Sequence, residues 1–419
     1  MRVMVIGSGG REHALAWRLN RSPSVTYLCS APGNPGMETL GPVFALDMLK
    51  PEAVVALAQR ETIDLVVVGP EAPLVAGVAD ALRANAIAVF GPDANGAQIE
   101  ASKTFAKQVM AAANVPTAGS VAVSDVAAAY AALERFGAPH VVKANGLAQG
   151  KGVTVTTSLV EAHKAVHAAL IERTFGDAGT TLVIEEFLDG PERSVFGVCD
   201  GTDVVLLCPA QDYKRAYDGD EGPNTGGMGA FSPVAGFDVD DVQELAESVF
   251  RPVLAELAQR GTPFRGLLYA GIVLTVNGPK LLEFNARFGD PETQAILPRF
   301  EGDFAALLYA AATGQVSDVP VGWRDEAAVT VALTSAGYPG AYTTGEVITG
   351  IDAAEVDPNV VVFHAGTTRR DDGALVTSGG RVLNVTAVGR DRAEARQRAY
   401  AAAAKIRFHG ATYRSDIAT

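Results

Sequence analysis

Short apolar runs alternate with turn residues along the first hundred positions of the chain. The runs span residues 3–6, 25–29, 65–68 and 87–90, and each stops at a turn that contains glycine or proline. Apolar runs of this length, separated by helical patterns, predict buried parallel strands. We therefore expect residues 1–101 to form a doubly wound α/β domain, in which the loops at the carboxyl ends of the strands line one ligand-binding crevice.

The pattern changes twice after this domain. A helical pattern over residues 102–114 opens a mixture of helices and strands that continues to residue 326. Within it, a smaller α+β lobe is expected at about 120–190. From residue 327 the sequence becomes rich in Thr, Val and Gly, with short strand patterns. The predicted fold class is α/β and α+β multidomain, with a two-lobed core over 102–326 and a small C-terminal α+β domain over 327–419.

Charge and composition narrow the choice of partners. The net charge of −14 disfavours nucleic acid, because an acidic surface repels the phosphate backbone. Any anionic ligand must then be held by locally concentrated donors such as glycine loops, lysines, arginines or a bound metal. The three cysteines are widely spaced, and the apolar runs are too short to span a bilayer. We expect a cytoplasmic monomer that binds no membrane.

The first strand ends in a glycine-rich turn, Gly7-Ser8-Gly9-Gly10, that leads into a helix. It does not fit the dinucleotide fingerprint, because Glu12 stands at the third glycine position and no acid follows the second strand. Two interpretations remain open. The turn either carries no ligand, or holds a phosphate on the amides of Gly9 and Gly10 with Arg11 as counter-charge.

A second glycine-rich loop follows a strand that carries Lys143. The loop contains Gly150 and Lys151 and leads into another strand, whereas a P-loop leads into a helix and has Ser or Thr after the lysine. It is either a flap that carries Lys151 over a triphosphate or a plain hairpin loop with solvated lysines. Further along, the strand that ends at Glu185 offers backbone groups to an adenine edge, and Glu192 offers an acceptor to ribose hydroxyls, although ordinary exposed glutamates would give the same pattern.

The most informative segment is the run Leu281-Leu-Glu-Phe-Asn-Ala-Arg-Phe-Gly-Asp-Pro-Glu292, which follows a hairpin turn at 276–279. Alternate residues of a strand share a face, so Glu283, Asn285 and Arg287 project together while Leu282, Phe284 and Ala286 face the core. Two oxygen ligands beside an arginine suit Mg²⁺ that bridges phosphate oxygens. An ordinary amphipathic strand explains the alternation but not this combination of groups.

These segments together resemble the ATP-grasp superfamily and, within it, the glycinamide ribonucleotide synthetases. The resemblance covers essentially the whole chain and rests on VIGSGGREHALAW, KANGLAQGKGV, GPNTGGMG, EFNARFGDPETQ and GGRVLNVTA. Three positions depart from the family pattern. Asn145 stands where aspartate is expected, Tyr213 where histidine is usual, and Ala286 where cysteine is frequent.

The resemblance implies ligation of glycine to 5-phosphoribosylamine through a glycyl phosphate, with ATP and Mg²⁺ or Mn²⁺. The implied roles are as follows: Glu283 and Asn285 bind the metal; Lys103, Lys143, Gly150, Lys151, Glu185, Leu188 and Glu192 bind ATP; Gly9, Arg11, Glu12, Asn34, Pro70 and Glu71 bind phosphoribosylamine; and Arg287, Asp290, Lys214 and Asp212 act in catalysis. Two alternatives stay open: another ATP-grasp ligase or carboxylase, and a catalytically silent nucleotide sensor. A nicotinamide enzyme is a remote third.

Overall fold

In the computed structural model, which describes residues 1–148, 152–237 and 239–419, the first hundred residues fold around a four-stranded parallel sheet. Its elements are β1 (Arg2–Gly7), α1 (Gly10–Leu19), β2 (Tyr27–Pro32), α2 (Pro51–Arg60), β3 (Leu65–Val68), α3 (Glu71–Val75), α4 (Val78–Ala84), β4 (Ala88–Phe90) and α5 (Gln98–Ala101). The strand order is β2-β1-β3-β4. The chain adds β2 on one side of β1 and then β3 on the other side, so the order of strands switches at β1. The second strand begins later than its apolar run because Tyr27 pairs with Arg2, the first residue of β1.

Both faces of this sheet are covered, which explains why its strands are apolar throughout. Val3 and Val5 pack into one core, and Met4 and Ile6 pack into another on the opposite face. All four side chains are fully buried. A strand that buries both faces shows a continuous apolar run rather than an alternating one.

The predicted smaller lobe is an antiparallel sheet covered by two helices. After α6 (Lys103–Ala112) the lobe contains β5 (Ser120–Val123), α7 (Val126–Phe136), β6 (His140–Ala144), β7 (Val153–Thr156), α8 (Leu159–Leu170) and β8 (Leu182–Glu185), in strand order β5-β8-β6-β7. Val142 and Ile184 pack beneath the helices, whereas Lys143 and Glu185 point to the opposite face. This alternation turns one face of the lobe toward a cleft.

The larger lobe faces the smaller one with a second antiparallel sheet. Its elements include β9 (Glu192–Asp200), β10 (Val204–Leu206), α9 (Val239–Leu245), a π-helical turn (Ala246–Phe250), α10 (Arg251–Gln259), β15 (Arg265–Thr275), β16 (Gly278–Asn285), α11 (Glu292–Ile296), β17 (Phe300–Glu301), α12 (Phe304–Thr313) and β18 (Gly322–Trp323). The sheet order is β10-β9-β15-β16. The predicted hairpin between β15 and β16 is confirmed.

The C-terminal sheet takes two strands from the middle of the chain. β11 (Gln211–Asp212) and β14 (Gly229–Ser232) join β19 (Ala327–Thr334), β20 (Val360–His364) and β23 (Arg381–Gly389) in the order β11-β14-β19-β23-β20. The other elements of this region are α13 (Ile351–Ala354), β21 (Thr367–Arg369), β22 (Leu375–Thr377) and α14 (Arg392–Ala403), which packs on the sheet. Two strands from the middle of the chain, β11 and β14, are therefore part of the C-terminal sheet.

The segment 212–229 contains a short hairpin. β12 (Arg215–Tyr217) pairs with β13 (Glu221–Asn224) across a turn at Asp218-Gly219. Gly219 has φ +73°, a conformation that glycine adopts without strain. The predicted fold class, α/β and α+β multidomain, is confirmed. No helix in the described part of the chain combines the length and apolar character needed to span a bilayer.

Candidate active site

A cleft of about 660 Å³ lies between the two facing sheets. Residues from the N-terminal domain, from both lobes and from the C-terminal domain line it. Its charged side chains are Arg11, Glu71, Glu100, Lys103, Lys107, Lys143, Glu185, Glu186, Glu192, Asp212, Lys214, Arg215, Asp220, Glu283, Arg287, Asp290, Glu292 and Arg381. The cleft therefore brings cations and acids together, and the local grouping of the cations decides where an anion can bind.

Three lysines gather on the smaller-lobe side of the cleft around one buried carboxylate. Lys143 Nζ lies 2.7 Å from Glu185, and Lys107 Nζ lies 3.2 Å from the same carboxylate. Burial lowers the pKa of Lys103 and of Lys107, and in both cases it outweighs the acids that face them. Three ammonium groups around one carboxylate leave an excess of positive charge for phosphate. Lys107 was not predicted from the sequence.

The departure at Asn145 has a structural role. Its Oδ1 accepts hydrogen bonds from the backbone N–H and the hydroxyl of Thr104, both at 2.8 Å, at the start of α6. Ser102 caps the same helix by accepting from Phe105 N–H. An asparagine oxygen can make the same acceptor contacts as an aspartate oxygen, so the substitution preserves the position of Lys103.

The predicted carboxylate strand is correct in its polar face and wrong at one core position. Glu283, Asn285 and Arg287 all line the cleft, and Phe284 and Ala286 are buried in the core. Leu282 instead lines the cleft, and Leu281 takes the core position. The cause is a bulge, because Gly271 pairs with Glu283 while the next residue, Ile272, pairs with Leu281. The extra residue shifts the alternation by one.

The side chain of Glu283 is surrounded by cations, and its carboxylate makes no ion pair or hydrogen bond to the described residues. Burial acts to raise the pKa of its carboxyl group, but Lys214, Lys143, Lys103 and Arg287 outweigh it and hold the pKa below the usual value. An ionised carboxylate beside the Asn285 amide is a pair of oxygen donors that suits Mg²⁺. Within the described residues no group of three or more His, Cys, Asp or Glu side chains could hold a metal by itself. The remaining ligands must come from phosphate and water.

Arg287 is fixed by two acids from the N-terminal side of the cleft. Its Nη2 lies 2.8 Å from Glu100 and its Nε lies 3.5 Å from Glu71. Burial opposes the charged guanidinium, but Glu100 and Glu71 outweigh it and raise its pKa. Glu100 also accepts a hydrogen bond from Ala286 N–H at 2.7 Å, so one side chain holds both the backbone and the arginine. Sequence reasoning missed Glu100, which lies on a four-residue helix without a recognisable motif.

Two further charged residues line the cleft: Asp212 at the end of β11 and Lys214 just before β12. Lys214 forms an ion pair with Glu192, the residue predicted to face ribose. Burial opposes the charge of Lys214, but Glu192 and Asp212 outweigh it and raise its pKa well above the usual value. Burial raises the pKa of Asp212 well above its usual range. Burial therefore makes this carboxyl group more basic than that of an exposed aspartate.

An arginine of the C-terminal domain closes the cleft at Asp290. Arg381 Nη2 lies 3.2 Å from the Asp290 carboxylate, and Nη1 donates to Asp290 O at 2.9 Å. The same nitrogen donates to the carbonyls of Gly226 and Gly227. Burial acts to raise the pKa of Asp290, but Arg381 and Arg11 outweigh it and lower the pKa. Arg381 thereby joins three segments that are distant in sequence.

The predicted phosphoribosylamine residues divide into two groups. Arg11 and Glu71 line the cleft, whereas Gly9, Glu12, Asn34 and Pro70 are not among its lining residues. Glu12 accepts from Gly9 N–H at 2.6 Å and pairs with Arg11 at 2.5 Å, so a carboxylate of the protein takes the amide expected to bind phosphate.

Asn34 braces its own loop. Its amide nitrogen donates to Ser8 O and His364 O, both at 2.9 Å, and its oxygen accepts from Gly36 and Met37 N–H. The side chain is buried and its hydrogen-bonding groups are used within the protein. Pro70 lies at the N-cap of α3, beside Glu71.

The predicted adenine segment provides an apolar wall. Leu188 is buried with Ala118 and Val273, and Leu282 packs against them from the bulged strand. Glu185 is turned toward the lysines through its side chain. The predicted flap residues Gly150 and Lys151 lie outside the described residues. The rest of the site thus has an apolar end near Leu188 and a charged end near Glu283.

Tyr213, which stands where the family usually has histidine, lies in the segment 213–228, the cleft loop, several residues of which line the cleft. Tyr213 ties this cleft loop to the end of the chain. Its hydroxyl accepts from Ala418 N–H at 3.0 Å, and the Arg414 guanidinium lies 5.0 Å from its ring centre. Arg414 in turn pairs with Asp220 and Asp416. Tyr213 therefore holds the C-terminal segment against the hairpin of β12 and β13.

Three family models match successive parts of this chain. The N domain of phosphoribosylglycinamide synthetase matches residues 1–100, its ATP-grasp domain matches 101–293, and its C domain matches 328–419. The chain belongs to the phosphoribosylglycinamide synthetase family. The family, the fold class and the ATP-dependent ligase class predicted from the sequence are confirmed, and the ATP-grasp fold implies ATP and a divalent metal ion.

Relatives of this family are similar over the whole length. A phosphoribosylamine–glycine ligase of Streptomyces coelicolor is 55% identical over 100% of this chain and 99% of the relative, and one of Mycobacterium tuberculosis is 50% identical over 100% and 97%. The crystal structure of phosphoribosylamine–glycine ligase from Thermotoga maritima has TM-score 0.86 at 34% identity, with full coverage of both chains.

A more distant structure shares the fold alone. The biotin carboxylase domain of a Hydrogenobacter thermophilus 2-oxoglutarate carboxylase, in complex with MgADP, ADP and bicarbonate, has TM-score 0.71 at 15% identity, with 98% of this chain and 91% of that chain covered.

Proposed function

We propose that this protein ligates glycine to 5-phosphoribosylamine with ATP, giving glycinamide ribonucleotide, ADP and phosphate in purine biosynthesis. The observation that carries the proposal is the convergence of Lys103, Lys143, Glu283 and Arg287 in one cleft of a chain that belongs to this family over its full length. The carboxylase alternative has no support at the level of sequence, because the carboxylase likeness is 15% identity.

ATP binds with its base against the apolar wall at Leu188 and its phosphates toward the lysines. Lys103, Lys107 and Lys143 neutralise phosphate oxygens. Gly150 and Lys151, which lie outside the described residues, remain candidates for ATP binding from the sequence alone. Glu192 faces the ribose. Glu283 and Asn285 would hold Mg²⁺, which would supply positive charge that neutralises the phosphates and favours transfer of the γ-phosphoryl group. The Glu185 carboxylate keeps two of the lysines in place before ATP arrives.

The first chemical step transfers the γ-phosphoryl group to glycine. A carboxylate oxygen of glycine bonds to the γ-phosphorus, and the bond between that phosphorus and the β,γ-bridging oxygen breaks to release ADP. Both reactants are anions, so catalysis consists mainly of charge neutralisation and in-line positioning. Arg287 stabilises the transferred group, since Glu100 and Glu71 fix its orientation before the substrate binds.

The second step forms the amide. The amine nitrogen of phosphoribosylamine attacks the carbonyl carbon of glycyl phosphate, and the carbon–oxygen bond to phosphate breaks. One proton must leave the nitrogen, and Asp212, a cleft residue that burial makes more basic, accepts it. Lys214 and Asp290 orient glycine and the amine, while Arg11 and Glu71 contact phosphoribosylamine at the N-terminal edge, on a frame of Gly9, Glu12, Asn34 and Pro70.

A single assay tests this function. ADP release is measured with glycine and phosphoribosylamine together, with each alone, and with bicarbonate in place of glycine. We expect ADP release coupled to glycinamide ribonucleotide only when both substrates are present. ADP release with bicarbonate would favour a carboxylase, and ATP binding without turnover under every condition would favour a nucleotide sensor.

The preferred metal, the oligomeric state and the compartment are further parts of the proposal. The oxygen and amide ligands Glu283 and Asn285 favour Mg²⁺ as the working ion, with Mn²⁺ as a substitute. The protein acts as a monomer in the cytoplasm. Activity titrated with each metal, light scattering during gel filtration and cell fractionation test these three points, and a stable dimer would contradict the second.

A further inference from the structure

A second and larger cleft lies on the other side of α1. Its volume is about 1200 Å³, and it is lined by α1, by the segment 297–302 and by residues of the C-terminal domain. Among the described residues, none that lines this cleft also lines the ATP cleft. The reaction proposed above therefore makes no use of it.

Four arginines line this cleft, Arg18, Arg21, Arg324 and Arg369, and the last of them is paired with Glu38. Arg18 is 8% exposed, and its Nη2 donates to Gly302 O at 2.7 Å. Its Nε is buried and has no hydrogen-bond partner among the described residues. Burial lowers the pKa of Arg18, and the positive charges of Arg21 and Arg324 lower it further, although Asp303 and Glu301 act in the opposite direction. The guanidinium groups of Arg21 and Arg324 therefore each lie close enough to repel that of Arg18.

The neighbouring acids do not neutralise this cluster. Asp303 accepts from the backbone and the hydroxyl of Ser24, both at 3.0 Å, and also caps α12. Glu301 is 60% exposed and lies 4.0 Å from Arg324, a distance at which an exposed pair contributes little. Arg21 stacks on the indole of Trp17, 4.0 Å from its ring centre, and does not contact an acid there.

We propose that Arg18, Arg21 and Arg324 form a binding site for the phosphate group of a small phosphorylated molecule. Guanidinium groups bind phosphate oxygens through directed pairs of N–H donors, and an anion between them removes their mutual repulsion. Arg18 lines the cleft, and the protein leaves its Nε without a hydrogen-bond partner among the described residues. The cleft has room for a molecule of nucleotide size.

The site is tested by calorimetric titration with AMP while Mg²⁺ and a non-hydrolysable ATP analogue fill the other cleft. We expect one bound AMP, competition by inorganic phosphate and none by adenosine. The double variant Arg21→Gln/Arg324→Gln should weaken binding at least about tenfold, as expected for the loss of charge-assisted hydrogen bonds. Both substituted side chains lie at the protein surface, and thermal unfolding checks that the variant is folded.

The matched control is Arg370→Gln/Arg390→Gln, which removes two exposed arginines of the C-terminal region and should leave AMP affinity unchanged. Arg18→Met provides a second variant that deletes the buried donor. The proposal is overturned if AMP does not bind, if adenosine competes as well as phosphate does, or if the charge-deleting double variant binds AMP as tightly as the wild type.

Discussion

At the residue scale, the cleft is an array of charges that hold one another in place before any substrate binds. Arg287 rests between Glu100 and Glu71, and Lys143 rests on Glu185. Glu283 differs from these groups, because it is ionised by nearby cations without pairing to them. The cleft therefore combines pre-oriented cations with one carboxylate that is free to bind a metal ion.

The fork of Arg287 should matter more than its charge. Arg287→Lys keeps the charge but loses the directed pair of donors. We expect turnover to fall about 100-fold, the usual effect of removing one preorganised donor, with little change in ATP affinity. Steady-state kinetics and titration with an ATP analogue measure the two quantities. Arg260→Lys, at a surface pair, is the control, and an unchanged turnover would remove Arg287 from this role.

Glu283 should set the metal requirement. Glu283→Gln retains an oxygen but loses the negative charge, so we expect the Mg²⁺ concentration for half-maximal activity to rise at least about tenfold. Activity is titrated against Mg²⁺ at saturating ATP. Glu301→Gln, an exposed acid outside the ATP cleft, should titrate like the wild type. A wild-type titration for Glu283→Gln would contradict the assignment as a ligand.

His13 should make folding stability depend on pH. Burial, with a smaller effect from His364, lowers its pKa from 6.5 to about 3. The unfolded chain therefore binds a proton below pH 6.5 that the folded protein excludes, and stability falls as the pH decreases from 6.5 toward 3. From pH 7 to pH 5 this residue should cost about 2 kcal/mol of unfolding free energy.

Denaturant unfolding at the two pH values measures this effect. The decrease between pH 7 and pH 5 should be smaller by that amount in His13→Gln, whereas the exposed His409→Gln should behave like the wild type. Equal slopes in wild type and His13→Gln would show that His13 is protonated in the folded protein.

Some of these residues could be predicted from the sequence and others could not, for a physical reason. Glu283, Asn285 and Arg287 follow from the period of a strand, which is a local property. Glu100 and Lys107 carry no local signal, since each is an ordinary charged residue on a helix, and only the packing of distant segments brings them to the cleft. Leu282 was misplaced because a bulge depends on the partner strand, which a single-strand pattern does not contain.

At the element scale, helix ends and strand ends place the reacting groups. α6 begins at Lys103, and its first turn is capped by Ser102 and by Asn145 from the loop after β6. The cap thus connects the segment that carries Lys103 to the segment that carries Lys143. A loss of this contact affects the stability of the helix and the position of Lys103 together.

The variant Asn145→Ala removes the oxygen that caps α6 and so tests this contact. We expect a loss of about 1 to 2 kcal/mol in unfolding free energy, the usual cost of removing a capping acceptor, and a higher KM for ATP. Asn145→Asp keeps the acceptor and should stay close to the wild type in both respects. Denaturant unfolding and ATP titration measure the effects. A harmless alanine, or an aspartate as damaging as alanine, would contradict the capping role.

At the scale of the whole molecule, the C-terminal domain is part of the active site. Arg381 joins Asp290 to the glycines at 226–227, and Tyr213 joins the cleft loop to Ala418. Composition and pattern predict an order of domains, but they do not predict that β11 and β14 join the C-terminal sheet, because strand pairing between distant segments leaves no trace in a local pattern.

Removal of the Arg381 side chain should impair the second half of the reaction. In Arg381→Gln we expect KM for glycine or phosphoribosylamine to rise about tenfold or more, since Asp290 loses a charge-assisted partner, while ATP affinity stays near the wild type. Kinetics with each substrate varied in turn make the measurement. Arg396→Gln, in the same domain and away from the cleft, is the control. A rise in the KM for ATP alone would contradict this placement.

The shared C-terminal sheet also bears on how the protein is made. Gly229 of β14 pairs with Val331 of β19, so about 100 residues must still be translated after the first partner emerges from the ribosome. At roughly 5 to 20 residues per second, this interval lasts about 5 to 20 seconds. During that time the segment 211–232 has no sheet to join, and its apolar Met228 and Phe231 have no core to enter. The nascent chain can therefore bring the segment 211–232 into its sheet only when the last quarter of the chain is being synthesised.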